Sequence, residues 1–131
     1  MTREDAEQCA LITWARLWPL RDGKVIDWLI AIPNGGARHR KTAGILKATG
    51  VKAGVSDLFL AYPCNGFAGL WIELKAPKTP TKPAGRPTRE QLEWLQRMAD
   101  TGYSAYLCAG WESARDTITN YIRGDGHGEA G

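Results

Sequence analysis

Cysteine is scarce in this chain and poorly placed for either of its usual structural jobs. Cys9, Cys64 and Cys108 are three in number and far apart. They show none of the paired spacing of zinc sites or disulfide frameworks. A zinc centre and a disulfide scaffold are therefore not expected, and the three thiols are expected to be reduced and buried. Long hydrophobic runs are missing too, since no apolar stretch reaches the ~18 residues of a membrane span. The opening MTREDAEQ is polar and acidic, unlike a secretory signal. These absences predict a cytoplasmic location. What is present is ordinary for one globular domain: 131 residues, 44% hydrophobic and 24% charged, enough for one core and too apolar for wholesale disorder.

Acidic residues are missing from two particular stretches. Between Asn34 and Ser56 there are five basic residues (Arg38, Arg40, Lys41, Lys47, Lys52) and no acid. Between Lys75 and Arg89 there are five more (Lys75, Lys78, Lys82, Arg86, Arg89), again with no acid. With a net charge of +3, the remainder of the chain therefore carries −7. Positive charge gathered in two segments fits a polyanion surface, although charge runs also serve simply as solvated faces.

The sequence contains no internal repeat and no linker that would divide it. Residues 1–123 read as a single domain, and the Gly-rich tail 124–131 is not expected to fold by itself. A first helix is predicted from Arg3 to about Leu17, capped by Thr2. Its apolar stripe is expected at Ala6, Cys9, Ala10, Thr13 and Leu17, widened by Leu11, Trp14 and Trp18. Strands are expected at Asp27–Ile32, from Val55 or Asp57 to Tyr62, at Gly69–Lys75 and at Ser104–Ala109. A short helix over 42–49 ends at Gly50. Asn65-Gly66 marks a hairpin between the second and third strands. Four prolines make 76–87 a loop. Thr88-Arg89-Glu90-Gln91 fits a capping box that starts a helix over 88–100, with Leu92, Leu95 and Ala99 as its inner stripe. A last helix over 112–122 would bury Ala114, Ile118 and Ile122. The fourth strand follows a helix, which predicts a parallel crossover, and the economical packing is an α/β mixed sheet of about four strands flanked by helices.

Alternation along GLWIELK puts Leu70, Ile72 and Leu74 on one face and Trp71, Glu73 and Lys75 on the other. A carboxylate and an ammonium side by side on a strand are costly unless partnered or at a sheet edge. In a hairpin turning around 63–68, Asp57 comes to the same end of the sheet as Glu73. Two converging carboxylates suit a hard divalent cation, which activates water and stabilises charge in phosphodiester displacement. The same residues also read as a Glu73–Lys75 surface pair with Asp57 starting its strand.

Asp57 followed by Glu73-Leu74-Lys75 resembles the PD-(D/E)XK nuclease motif. More specifically, five stretches are similar to the VRR-NUC, or virus-type replication-repair nuclease, family. These are Ile32-Pro33-Asn34-Gly35-Gly36-Ala37-Arg38, Gly50 to Leu58, Gly69 to Lys75, Thr88-Arg89-Glu90-Gln91 and Gly102-Tyr103. The resemblance implies a restriction-endonuclease-like core of αβββαβ order. It implies that Asp57 and Glu73 bind metal, that Lys75 is catalytic, and that Gln91 joins the site. An acid of the first helix completes the metal ligands, Glu4 by choice and Glu7 as fallback. Gln91 also reads as no more than the reciprocal member of its capping box, and Glu4 and Glu7 as complements to the helix dipole. One departure is Ser56, where the family usually has proline.

The implied activity is an Mg²⁺- or Mn²⁺-dependent deoxyribonuclease. DNA would be gripped by Asn34, Gly35, Gly36, Arg38, Arg40, Lys41, Lys52 and Lys78, without sequence readout. Stand-alone members of the family look like dimeric, phage-type structure-specific endonucleases. That implies branched DNA, Holliday-junction resolution by a homodimer, no membrane association, and a bacterial or phage-infected host cell. Flap or single-strand cleavage, or a non-catalytic DNA-binding module on the same fold, are the alternatives. Trp111, after Gly110, is the candidate stacking platform, with burial as its other reading.

Overall fold

The computed structural model describes residues 1–33 and 43–124. The Gly-rich tail beyond 124 lies outside the described residues. Helix α1 (Arg3–Ala15) leads into a short hairpin, β1 (Pro19–Leu20) and β2 (Gly23–Lys24), and a 3₁₀ turn at Val25–Asp27. There follow β3 (Leu29–Ala31), α2 (Ala43–Ala48), β4 (Leu58–Leu60), β5 (Leu70–Lys75), α3 (Arg89–Ala99), β6 (Ser104–Ala109) and α4 (Trp111–Arg123). The main sheet runs β3-β4-β5-β6, with β5 and β6 parallel and the other neighbours antiparallel. The α/β mixed sheet of four strands is as the sequence predicts. The small β1–β2 sheet is additional.

The two faces of the sheet are filled differently. On one face Leu58, Leu60, Leu70, Ile72, Leu74 and Cys108 pack against Leu11 and Ala15 of α1 and Ala114 and Ile118 of α4. Each such buried aliphatic side chain contributes about 1.5–3 kcal/mol of apolar transfer. On the other face Phe59, Trp71 and Tyr103 form an aromatic cluster with Trp94 of α3, with Phe59 and Trp71 ring centroids 4.4 Å apart and Trp71 edge-on to Trp94 at 5.3 Å.

Three sequence expectations are corrected. The buried face of α1 centres on Leu11 and Ala15, while Ala6, Cys9, Thr13 and Leu17 are exposed. The stripe therefore lies to one side of the predicted one, and it turns Glu4, Glu7 and Gln8 inward as half-buried residues. Cys9 is exposed, unlike Cys64 and Cys108. On α3, Leu92 is 48% exposed and Ala99 is also exposed. There the sheet-facing side is Trp94 and Leu95, because the aromatic cluster, not an aliphatic stripe, sets the rotation of the helix.

The β4–β5 hairpin sets the site. At its turn Asn65 and Gly66 both have positive φ (50° and 89°), as a type I′ turn demands. Cys64 and Phe67 exchange backbone hydrogen bonds of 3.0 and 2.9 Å across it. Continued without interruption, that pairing would set Leu60 opposite Trp71 and Asp57 opposite Leu74. Instead Leu60 faces Leu70 and Leu58 faces Ile72, which brings Asp57 level with Glu73. The β4 side holds one more residue between turn and ladder (61–63 against 68–69), which is a bulge. That single residue moves Asp57 into line with Glu73 and onto its face of the sheet.

Candidate active site

Asp57, Glu73 and Lys75 meet at the end of the β4–β5 hairpin. Asp57 is held at both ends: its carbonyl accepts from Ile32 N at 2.7 Å, and its Oδ2 accepts from Leu74 N at 2.8 Å. Glu73 is 0% exposed, and neither of its carboxylate oxygens has a hydrogen-bond partner among the described residues. Lys75 Nζ lies 3.5 Å from its Oε2. Burial first, and then the neighbouring Asp57, push Glu73 up to about 8, while the Lys75 ammonium pulls the other way. Lys75 is itself 7% exposed, and Glu4 Oε2 lies 3.8 Å from its Nζ.

The first-helix acids separate here. Glu4 faces Lys75, whereas Glu7 Oε1 accepts from Trp111 N at 2.8 Å. Gln91 is engaged in the capping box, its Oε1 accepting from Thr88 N at 2.8 Å, which leaves the Nε2 amide as the group it can offer. Lys52 and Lys78 are exposed. Lys52 belongs to a segment packed closely on the start of α3, since a Cβ on Gly54 would meet Glu90 at 2.7 Å. Asn34, Gly35, Gly36, Arg38, Arg40 and Lys41 lie outside the described residues. Trp111 is half-buried against the core, with the Arg115 guanidinium 5.1 Å from its ring centre.

The donors fit a hard divalent ion. A fully buried carboxylate ion-paired to one lysine, beside a second carboxylate, is the donor chemistry that Mg²⁺ or Mn²⁺ takes. Among the described residues, however, no three His, Cys, Asp or Glu side chains gather as a metal-holding group. Two carboxylates converge, and Glu4 lies across the ammonium from them with a side chain 42% exposed.

Sequence reading missed the segment after β5 as a part of the site. Gly85 N donates to Ala76 O at 2.9 Å, and a Cβ on Gly85 would come within 3.3 Å of Glu4 Oε2 and 3.4 Å of Lys75 Cβ. Arg3 Nη2 donates to Pro77 O from the other side. Proline-rich composition says loop, but gives no signal of where the loop returns.

Ser56 is fully buried, and its Oγ has no partner among the described residues. Ser56→Ala is expected to stabilise the protein by about 1 kcal/mol in urea denaturation, because it removes an orphaned buried hydroxyl. A loss of stability would show that the hydroxyl is satisfied in solution.

The VRR-NUC domain family model matches residues 6–112. A solved structure described as "VRR_NUC domain protein" superposes with a TM-score of 0.80 at 25% identity, covering 94% of this chain and 90% of that one. No curated protein matches the chain. With the family match spanning most of the chain and the fold shared along nearly its whole length, this protein belongs to the VRR-NUC nuclease domain family.

Proposed function

We propose that this chain is a divalent-metal-dependent, structure-specific DNA endonuclease acting on branched DNA, with Holliday-junction resolution by a homodimer as its activity. The observation that carries the metal-dependent chemistry is the Glu73 carboxylate, fully buried beside Asp57 and Lys75. Asp57 and Glu73 would hold Mg²⁺ or Mn²⁺, with Glu4 as the third carboxylate. The ion would supply Lewis acidity and an activated water. Lys75 would orient the attacking water or neutralise charge developing on the phosphate, and the Gln91 amide would steady water or phosphate. A two-fold dimer presents two symmetric sites, which suits paired cuts across a four-way junction.

The test is a panel of labelled four-way junction, flap, fork, duplex and single-stranded DNAs, with Mg²⁺, Mn²⁺ or chelator. Paired symmetric nicks on the junction are expected, abolished by chelator, with sedimentation reporting a dimer. Preferential cutting of flaps or single strands would replace the junction assignment. DNA binding with no cleavage under any metal would leave only a binding module.

Phosphate contacts are expected from the exposed lysines. Lys52→Ala combined with Lys78→Ala should reduce the slope of log affinity against log salt by about two. An unchanged slope would place the DNA elsewhere on the surface.

A further inference from the structure

Helix α4 starts without a cap of its own. Its N-cap residue is Gly110, at φ 91°, and no side-chain cap hydrogen bond is made there. The first N–H groups of a helix need partners from outside it. One comes from a different element: Trp111 N donates to Glu7 Oε1 at 2.8 Å, across 104 residues of sequence. A carboxylate at this end of a helix also complements the dipole.

This contact is linked to the site at both ends. The preceding amide, Gly110 N, donates to Lys75 O at 2.8 Å. Consecutive amides of one turn thus hold the end of β5 and the start of α1. On α1, Glu4 lies one turn before Glu7 on the same side, and its carboxylate meets Lys75 Nζ at 3.8 Å. The fully buried residues of α1 are Leu11 and Ala15, both beyond Glu7. Apolar packing therefore anchors the far part of the helix, and polar ties must set the two turns that carry Glu4.

We propose that Glu7 is a positioning residue: by capping α4 it fixes α1 in the register that brings Glu4 to Lys75. This rests on the nuclease reading of the Asp57–Glu73–Lys75 site. The role needs an acceptor at Oε1 rather than a negative charge, and so separates Glu7 from a metal ligand.

Glu7→Ala and Glu7→Gln decide it, assayed at a temperature where both are fully folded. Glu7→Ala is expected to lower kcat for DNA cleavage about tenfold with KM within about twofold, and to weaken Mn²⁺ binding by calorimetry by a similar factor. Hydrogen exchange at the Trp111 amide should accelerate about tenfold or more. Glu7→Gln, which keeps the acceptor, should stay within about threefold of the parent in all three readouts. Wild-type kcat and Mn²⁺ affinity in Glu7→Ala, or an unchanged Trp111 exchange rate, overturn the proposal. So does a Glu7→Gln as impaired as Glu7→Ala, which would make the charge itself the essential feature. Calorimetry and exchange need no cleavage, so they judge this inference even if the DNA panel shows none.

Discussion

Lys75→Ala is expected to lower DNA cleavage by about 10³-fold while junction affinity stays within about threefold. The magnitude is that of losing a positioned proton-transfer or charge-stabilising group. Binding is expected to survive because Lys75 is only 7% exposed and its ammonium faces Glu73 and Glu4, which leaves it little surface to offer a phosphate. Removing the buried alkyl stem also leaves a void beside Glu73, which costs stability. Lys75→Met keeps the alkyl volume and controls for that loss. Both variants should bind junctions in gel shift and fail to nick them. Full cleavage by either would remove Lys75 from the chemistry.

The second large effect is a reversal of pH dependence by metal. In the metal-free protein Glu73 sits at about 8 against an ordinary value of 4.5. Between those values the folded state holds more protons than the unfolded one, so stability falls as pH rises through this window. The loss from pH 5 to pH 9 should be on the order of 3 kcal/mol, after allowing for relaxation around the buried group. A bound divalent ion needs the carboxylate deprotonated, so metal affinity should rise toward pH 8 and cancel the trend. Urea denaturation in chelator and in Mn²⁺, at pH 5 and pH 9, measures both. Glu73→Gln should flatten this part of the metal-free profile and abolish the Mn²⁺ heat in calorimetry. A Gln variant with the parental profile, or with parental metal binding, would contradict the assignment.

Much of the architecture was legible because local signals were strong. Thr88 and Gln91 form the reciprocal cap their spacing predicts, and Asn65-Gly66 makes the expected turn. Period-two alternation in GLWIELK correctly separated Ile72 and Leu74 from Glu73 and Lys75, since the first pair packs in the aliphatic core. Helix faces were less legible. On α1 the small and apolar residues run almost all the way round, so periodicity alone had no clear preference, and packing against α4 chose Leu11 and Ala15. On α3 the tryptophan under the helix outweighed Leu92, because Trp94 finds Trp71 and buries more surface.

By itself, then, the sequence determined which residues carry charge, the order of the main strands and helices, and that Asp57, Glu73 and Lys75 belong to one hairpin. Only the tertiary structure decided that Asp57 shares the face of the other two. That depends on one extra residue between 61 and 63, a register choice that costs no local propensity and leaves no mark in composition. It also decided between two acids a turn apart, sending Glu4 to Lys75 and Glu7 to Trp111. Those assignments rest on contacts across the chain, and a bare Gly110 at the start of α4 creates the need that Glu7 fills.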